Sequence, residues 1–326
     1  MYCSRLDHFV RFNPTGTVSR CGHMVNPIEF DCLQDMDDSQ WLADIKQQFV
    51  QDQFPDECIR CQQTENINQT SIRLNALVYH KLQTQDNYLI VGGVLDNVCN
   101  SACQSCDANL STKIGGLTNK YYPIFDNSHK FWKLPMDRIT HLDINGGEPS
   151  ASKNYRYLLQ NIPPNVKSIR INTNCSTIIK EIPDLLAKGI HVTVTVSFDG
   201  IGTIHDYVRW PIKWNKFYKN LMIYKSMNLL ELNLWTTVHA LNVGDLNNII
   251  NFAKEHQIDH SYALLHEPAV LNINHTNKLT SLAKDTILLG QVAIKKNNNN
   301  RELLQFITQQ DLLRKISYID YLGDIL

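Results

Sequence analysis

From residue 86 to about 270, short apolar runs rich in β-branched residues alternate with stretches of helical spacing. The runs fall at 89–95, 139–144, 166–171, 191–197 and 232–238, with a weaker sixth at 262–265. Each is strand-like in length and composition, and several end in turn residues. Between them Trp214, Phe217, Tyr218, Leu221 and Met222 stand at helical offsets and put one apolar stripe on a helix. Leu246, Ile249, Ile250 and Ala253 repeat the pattern behind Asp245 as N-cap, and Pro183 and Gly189 bracket a shorter helix. One strand and one helix per unit of roughly 25 to 40 residues predicts βαβ units and a parallel α/β sheet. A closed-up barrel and a doubly wound open sheet read alike at this level.

The flanks differ. Residues 1–85 show no alternation; they carry Cys3, Cys21, Cys58 and Cys61 and a helical run at 39–51 with Trp41, Leu42, Ile45 and Phe49 in register. This predicts a small metal-organised module. Residues 271–326 read as helical, with Leu303, Leu304, Ile307, Leu312 and Leu313, and show no chemistry. With 326 residues, 43% apolar, the chain has material for one large domain, 86–270, between these two. No apolar run reaches 18 residues and Met1–Arg5 opens no signal-peptide pattern, so a cytoplasmic protein without membrane spans is expected. A net charge of −1 argues against a general polyanion binder. No P-loop, serine nucleophile elbow or H-E-x-x-H helix is present.

Nine cysteines in clusters read as metal ligands rather than a disulfide framework. Cys99, Cys103 and Cys106 follow the first apolar run directly. Four-iron clusters take four thiolates, so three leave one iron open to a small molecule. A zinc knuckle with a distant fourth ligand, or buried inert cysteines, would use the same residues. One run later, Gly146-Gly147-Glu148-Pro149 supplies a tight turn at the carboxyl end of a strand, where α/β folds bind ligands.

Together, C-x3-C-x2-C with Asn97 and Asn100 and the later GGEP resemble the signatures of the radical S-adenosylmethionine (radical SAM) enzymes. That resemblance implies a partial (β/α)6 barrel. It also implies a [4Fe-4S] cluster on the three thiolates, with S-adenosyl-L-methionine chelated to the open iron and cleaved reductively to a 5′-deoxyadenosyl radical. It points to the backbone groups of Gly146, Gly147 and Glu148 at the methionyl amine and to Asn172 and Asn174 as polar contacts. Ser197 and Asp199 would meet the ribose or the amine, Arg209 a carboxylate, and Asn242 the loop after the fifth run. His266 and Glu267 would reach the barrel mouth. Ser105 departs from the aromatic residue usual before the third cysteine, which removes an adenine contact but not a ligand.

Cys3, Cys21, Cys58 and Cys61, with Glu65 and Ser71–Arg73 downstream, resemble the auxiliary-cluster module of twitch and SPASM-type relatives, here at the N-terminal rather than the usual C-terminal side. An auxiliary [4Fe-4S] cluster or a tetrahedral zinc site with four cysteine ligands satisfies that set. The implied partners are an electron donor such as flavodoxin or ferredoxin and a peptide or protein side chain as substrate. Lys113, Lys120, Lys130 and Lys133 favour an anionic alternative (a nucleotide, RNA or small metabolite) unless they form a solvated face. A zinc-stabilised binding protein without catalysis is the reading from another class. Cys175 is either an active-site thiol or a small buried residue, and Cys32 has no assigned place.

Overall fold

The computed structural model describes residues 1–68, 70–83, 86–118, 125–265, 267–273 and 300–322. All six predicted runs become strands, and two more join them. The strands are β1 (Phe9–Phe12), β2 (Val18–Ser19), β3 (Leu89–Val94), β4 (Ile139–Asn145), β5 (Ser168–Thr173), β6 (His191–Ser197), β7 (Glu231–Val238) and β8 (Asp259–Leu264). They form a single sheet in the order β2-β1-β3-β4-β5-β6-β7-β8, parallel throughout except between β1 and β2. Sequence order and spatial order coincide from β3 to β8. A doubly wound sheet reverses its order at a switch point; this one does not. The sheet instead curls round one cavity, to which β1 and β3 to β7 all contribute residues. The result is the open, partial barrel expected, extended by two strands.

Those two strands correct the sequence reading of residues 1–85. β1 pairs in parallel with β3, with Phe9 opposite Ile90 and Phe12 opposite Gly93. The N-terminal segment is therefore built into the sheet rather than only attached to it. Four residues, with Arg11 interrupting the apolar ones, are too few to show an alternation, and β2 has only two. The helix read at 39–51 is present as Gln40–Val50, capped by Ser39 and burying Leu42, Ile45 and Phe49.

Side-chain parity along the strands decides what each face does. Val10, Val91, Leu142, Ile169, Ile171, Val192, Val194 and Leu234 belong to one continuous core. Helices Lys153–Gln160, Ile182–Ala187, Trp214–Ser226 and Leu246–Glu255 cover that face with Tyr155, Leu158, Leu185, Phe217, Leu221 and Ile249. Intervening residues such as Asp143, Arg170, Thr193 and Asn233 point the other way, into the curl. A second core joins the end of β7 to helix Asn300–Arg314 through Val238, Leu303 and Ile307. Among the described residues no helix is long and apolar enough to cross a membrane.

Candidate functional site at the carboxyl rim of the sheet

The loop after β3 is fastened on every side. Backbone N–H groups of Ala102 and Gln104 donate to the carbonyls of Trp210 (2.7 Å) and Val208 (2.9 Å). Arg314 donates through Nε and Nη2 to the Ala102 carbonyl (3.0 and 2.9 Å). Ser111 Oγ donates to the Ser101 carbonyl, and Cys99 N–H to Thr112 Oγ1 (3.2 Å). Cys99, Cys103 and Cys106 all stand on this fastened loop, half-buried to buried.

The turn after β4 is packed against that loop. Gly146 and Gly147 have φ of +79° and +56°, a region costly for residues with a Cβ. A Cβ at Gly146 would stand 2.3 Å from Val94 Cγ2, and one at Gly147 2.8 Å from the carbonyl oxygens of Asp96 and Val98. Glu148 N–H donates to the Val98 carbonyl (2.8 Å), directly before Cys99.

Glu148 itself is fully buried. Its carboxylate accepts from Asn174 N–H (2.6 Å), Thr173 Oγ1 (2.8 Å), Ser150 N–H (3.1 Å) and Ser150 Oγ (2.7 Å). These bonds hold the ends of β4 and β5 together, and the geometry makes Glu148 a positioning residue. Asn174 continues the link: its Nδ2 donates to Asn100 Oδ1 (2.9 Å) and Ser101 Oγ (2.8 Å). Asn242 is likewise spent inside the protein. Its Nδ2 donates to the carbonyls of Asp199 and Thr237 (3.0 Å each), and its Oδ1 accepts from His239 N–H (2.8 Å).

Asp199, after β6, accepts from Arg209 Nη1 (3.1 Å) and Thr237 N–H (2.8 Å). Burial opposes the Arg209 charge; Cys103, as a thiolate, and then Asp199 favour it, with Cys99 and Cys106 adding to this only when ionised. Burial raises all three thiols of the loop. Cys99 is pushed up to about 12 by burial and then by Cys103, and Cys106 rises through burial and then through Cys103 and Cys99. Thiols raised in this way ionise only beside a cation, but as placed here the three do not stand close enough to share one metal ion.

Several polar atoms at this rim remain without a partner although buried: Asn172 Oδ1, Arg209 Nε, both amide atoms of Gln104, and His239 Nε2. His239 accepts from Leu241 N–H at Nδ1 (3.2 Å), so its proton sits on the unpartnered Nε2. Gln104, His239 and Arg314 were missed in the sequence. Gln104 hides among the variable positions of the cysteine motif, and Arg314 lies more than two hundred residues from the loop that it clamps. Ser197 ends β6 on the inner face, beside Trp235 in register.

The four N-terminal cysteines also come together. Cys3, Cys21, Cys58 and Cys61 line one small cavity with Arg5 and His23. Burial pushes Cys3 up to about 11 and raises Cys58, with the other three cysteines adding to the latter. Glu65, Arg73 and Ser71 buttress the group: Arg73 Nε donates to Glu65 Oε1 (2.9 Å), Ser71 Oγ donates to the same oxygen (2.5 Å), and Arg73 Nη1 donates to the Tyr2 carbonyl (2.9 Å). Among the described residues no three His, Cys, Asp or Glu side chains stand close enough to share one metal ion.

The remaining sequence candidates fall elsewhere. Cys175 is fully buried, with its Sγ toward the Phe217 carbonyl (3.8 Å), and faces the helix layer. Cys32 is exposed and caps the helix Leu33–Asp37, its Sγ accepting from Asp35 N–H (3.5 Å). Of the lysines, Lys113 lies over the Trp210 ring and Lys130 donates to the Gly16 carbonyl (2.6 Å). Glu267 accepts from Ala269 N–H in an exposed turn. His266 and Lys120 lie outside the described residues.

Against known proteins, no family model and no curated protein matches the sequence. Among solved structures, the chain is similar to Streptococcus suis SuiB bound to S-adenosylmethionine, with 14% identity and a TM-score of 0.43 over 95% of this chain and 70% of that one. It is also similar to SuiB bound to its precursor peptide SuiA, with 16% identity, a TM-score of 0.43 and the same coverage. From its own residues, the site has the organisation that the radical SAM resemblance implies: a three-thiol loop and a double-glycine turn, side by side on the carboxyl rim of a partial α/β barrel.

Proposed function

We propose that this chain is a radical SAM enzyme acting on a peptide or protein side chain. The observation that carries the reading is the seating of the three-thiol loop on the Gly146–Glu148 turn through the Glu148 N–H to Val98 bond. Two sequence signatures read separately meet there in space.

Cys99, Cys103 and Cys106 would hold the [4Fe-4S] cluster, and the unpartnered Asn172, Gln104, Arg209 and His239 atoms are suited to the methionyl and nucleoside ends of S-adenosyl-L-methionine. When bound, the pair supplies an electron and a primary carbon radical able to abstract hydrogen, the cluster being recharged by flavodoxin or ferredoxin. The chain's own part is to keep the loop rigid, keep Arg209 charged beside the thiolates, and shield the rim from water. Cys3, Cys21, Cys58 and Cys61 would bind an auxiliary [4Fe-4S] cluster, fully ligated by protein and so suited to electron relay. The peptide substrate follows from the resemblance of that group to auxiliary-cluster modules.

Anaerobic purification should give a brown protein with about eight irons and eight sulfides, and reduction with dithionite should form 5′-deoxyadenosine from S-adenosylmethionine. The triple Cys→Ala variant at 99, 103 and 106 should keep about half the iron and form none. A colourless wild-type protein holding zinc would overturn the reading.

A further inference from the structure

The cavity inside the curl is not lined as a sheet interior should be. A parallel sheet covered on both faces is normally apolar on both, and here only the helix-covered face is. Across the inner face one register row runs Arg11, Gly92, Asp143, Arg170, Thr193 and Glu231, each opposite the next on the adjoining strand. The cavity that this row faces measures about 690 Å³, within the range of small-molecule sites, and Arg5 also borders it. Arg5 and His23 are shared between it and the cavity of the four N-terminal cysteines.

The charges of this wall are unspent. Among the described residues seven ion pairs form within 4 Å, and none involves Arg5, Arg11, Arg170, Asp143 or Glu231. Arg5 Nε is buried without a partner. Arg11 is largely screened from water, which works against its charge. His8 and His141 nearby are pushed toward the neutral form by burial and do not add to the positive side. Arg5 lies over the Phe9 ring (3.6 Å), whereas Arg170 and Glu231 are exposed at the cavity's open side; a guanidinium without an ion pair is matched by a bidentate anion.

We propose that this cavity binds a carboxylate-bearing part of the substrate, gripped by Arg11 and Arg170, with Asp143 and Glu231 turned toward an amide or ammonium of the same molecule. Arg5, Arg11 and Arg170 against Asp143 and Glu231 leave the wall one positive charge in excess, which a single carboxylate neutralises and a phosphate dianion overshoots. The substrate segment is thus one of mixed charge, such as a peptide carrying a glutamate or aspartate. This deepens the function proposed above and rests on it for the word substrate, but the binding itself does not depend on radical chemistry.

The test is titration of the anaerobically purified protein with N-acetyl-Gly-Glu-Gly-amide and, separately, its glutamine counterpart. The glutamate peptide should bind at least tenfold more tightly. Arg170→Gln should erase the difference, Arg170→Lys should retain part of it, and Asp143→Asn should tighten the glutamate peptide, a gain that a merely structural role for the row would not give. Equal binding of the two peptides, no binding of either up to about 10 mM, or displacement by inorganic phosphate at equal concentration would overturn the assignment. Formation of 5′-deoxyadenosine by the wild-type protein is scored independently. Selective peptide binding without it removes the radical reading and leaves this site; the reverse outcome removes the site alone.

Discussion

Replacing Glu148 by glutamine tests whether this buried carboxylate organises the site or touches the cofactor. Its Oε1 takes three of the four hydrogen bonds and Oε2 takes the fourth, from Asn174 N–H at 2.6 Å. An amide oriented to keep the three must turn its NH2 toward that N–H, donor against donor. The lost charge-assisted bond costs about 2 kcal/mol and the orphaned backbone amide about 1 kcal/mol more. Burial raises the Glu148 carboxyl against the pull of its donors. A neutral side chain therefore recovers part of this, which leaves a net loss of roughly 2 kcal/mol. Urea unfolding of the metal-free protein reads this directly. Because Asn174 also holds Asn100 and Ser101, iron loading at the three-thiol loop should fall with it. A variant unchanged in stability to within about 0.5 kcal/mol, but weakened for S-adenosylmethionine, would refute the positioning role and return Glu148 to the cofactor's contacts.

Arg314→Met keeps the apolar stem and removes the donors to Ala102, which should cost about 3 kcal/mol in urea unfolding and lower the iron bound at the loop; full iron content would show that the clamp is dispensable. Stability should also fall in mild acid. His205 is fully buried, and burial with Arg209 nearby lowers it to about 3, so the native ring stays neutral while the unfolded chain takes a proton below about 6.5. The unfolded state then binds more protons. The His205 contribution is complete above about 6.5 and declines by about 2 kcal/mol by pH 5, continuing toward 3. Urea midpoints from pH 7 to 5 should show the slope, and His205→Leu should flatten it by that amount; an unaltered slope would mean that the ring titrates normally.

What the sequence disclosed follows from how far each signal reaches along the chain. β3 to β8 were legible because each packs one face on a helix and writes that contact as a local apolar run. β5 was displaced by two residues, and β8 starts at Asp259 rather than 262 because its exposed residues blur the pattern. β1 and β2 were not legible: a four-residue strand holding Arg11 makes sense only beside β3, and that pairing spans about eighty residues. The motifs were visible, but their division of labour was not. Glu148 and Asn242 have the chemistry of ligand contacts, and only the geometry shows their polar atoms already engaged. Gln104 and His239 belong to no local pattern; what marks them is burial without a partner.

The two thiol groups pose one electrostatic problem and the fold answers it twice. Burial makes the thiols reluctant acids, so any metal they bind must displace their protons, and positive charge nearby eases that step. Arg209 and Arg314 stand beside the first group, where each lowers the Cys103 thiol against its burial. Arg5 and Arg73 serve the second, Arg5 first through its backbone and then through its charge at Cys3, and Arg73 through its backbone at Cys61. None of the four arginines lies within a cysteine motif, and Arg209 and Arg314 reach their loop from after β6 and from the C-terminal helix. The first site is therefore complete only when the chain's end has docked on the barrel. Metal loading at Cys99, Cys103 and Cys106 should accordingly follow closure of the sheet, whereas the N-terminal group draws its four thiols and both arginines from the first 73 residues.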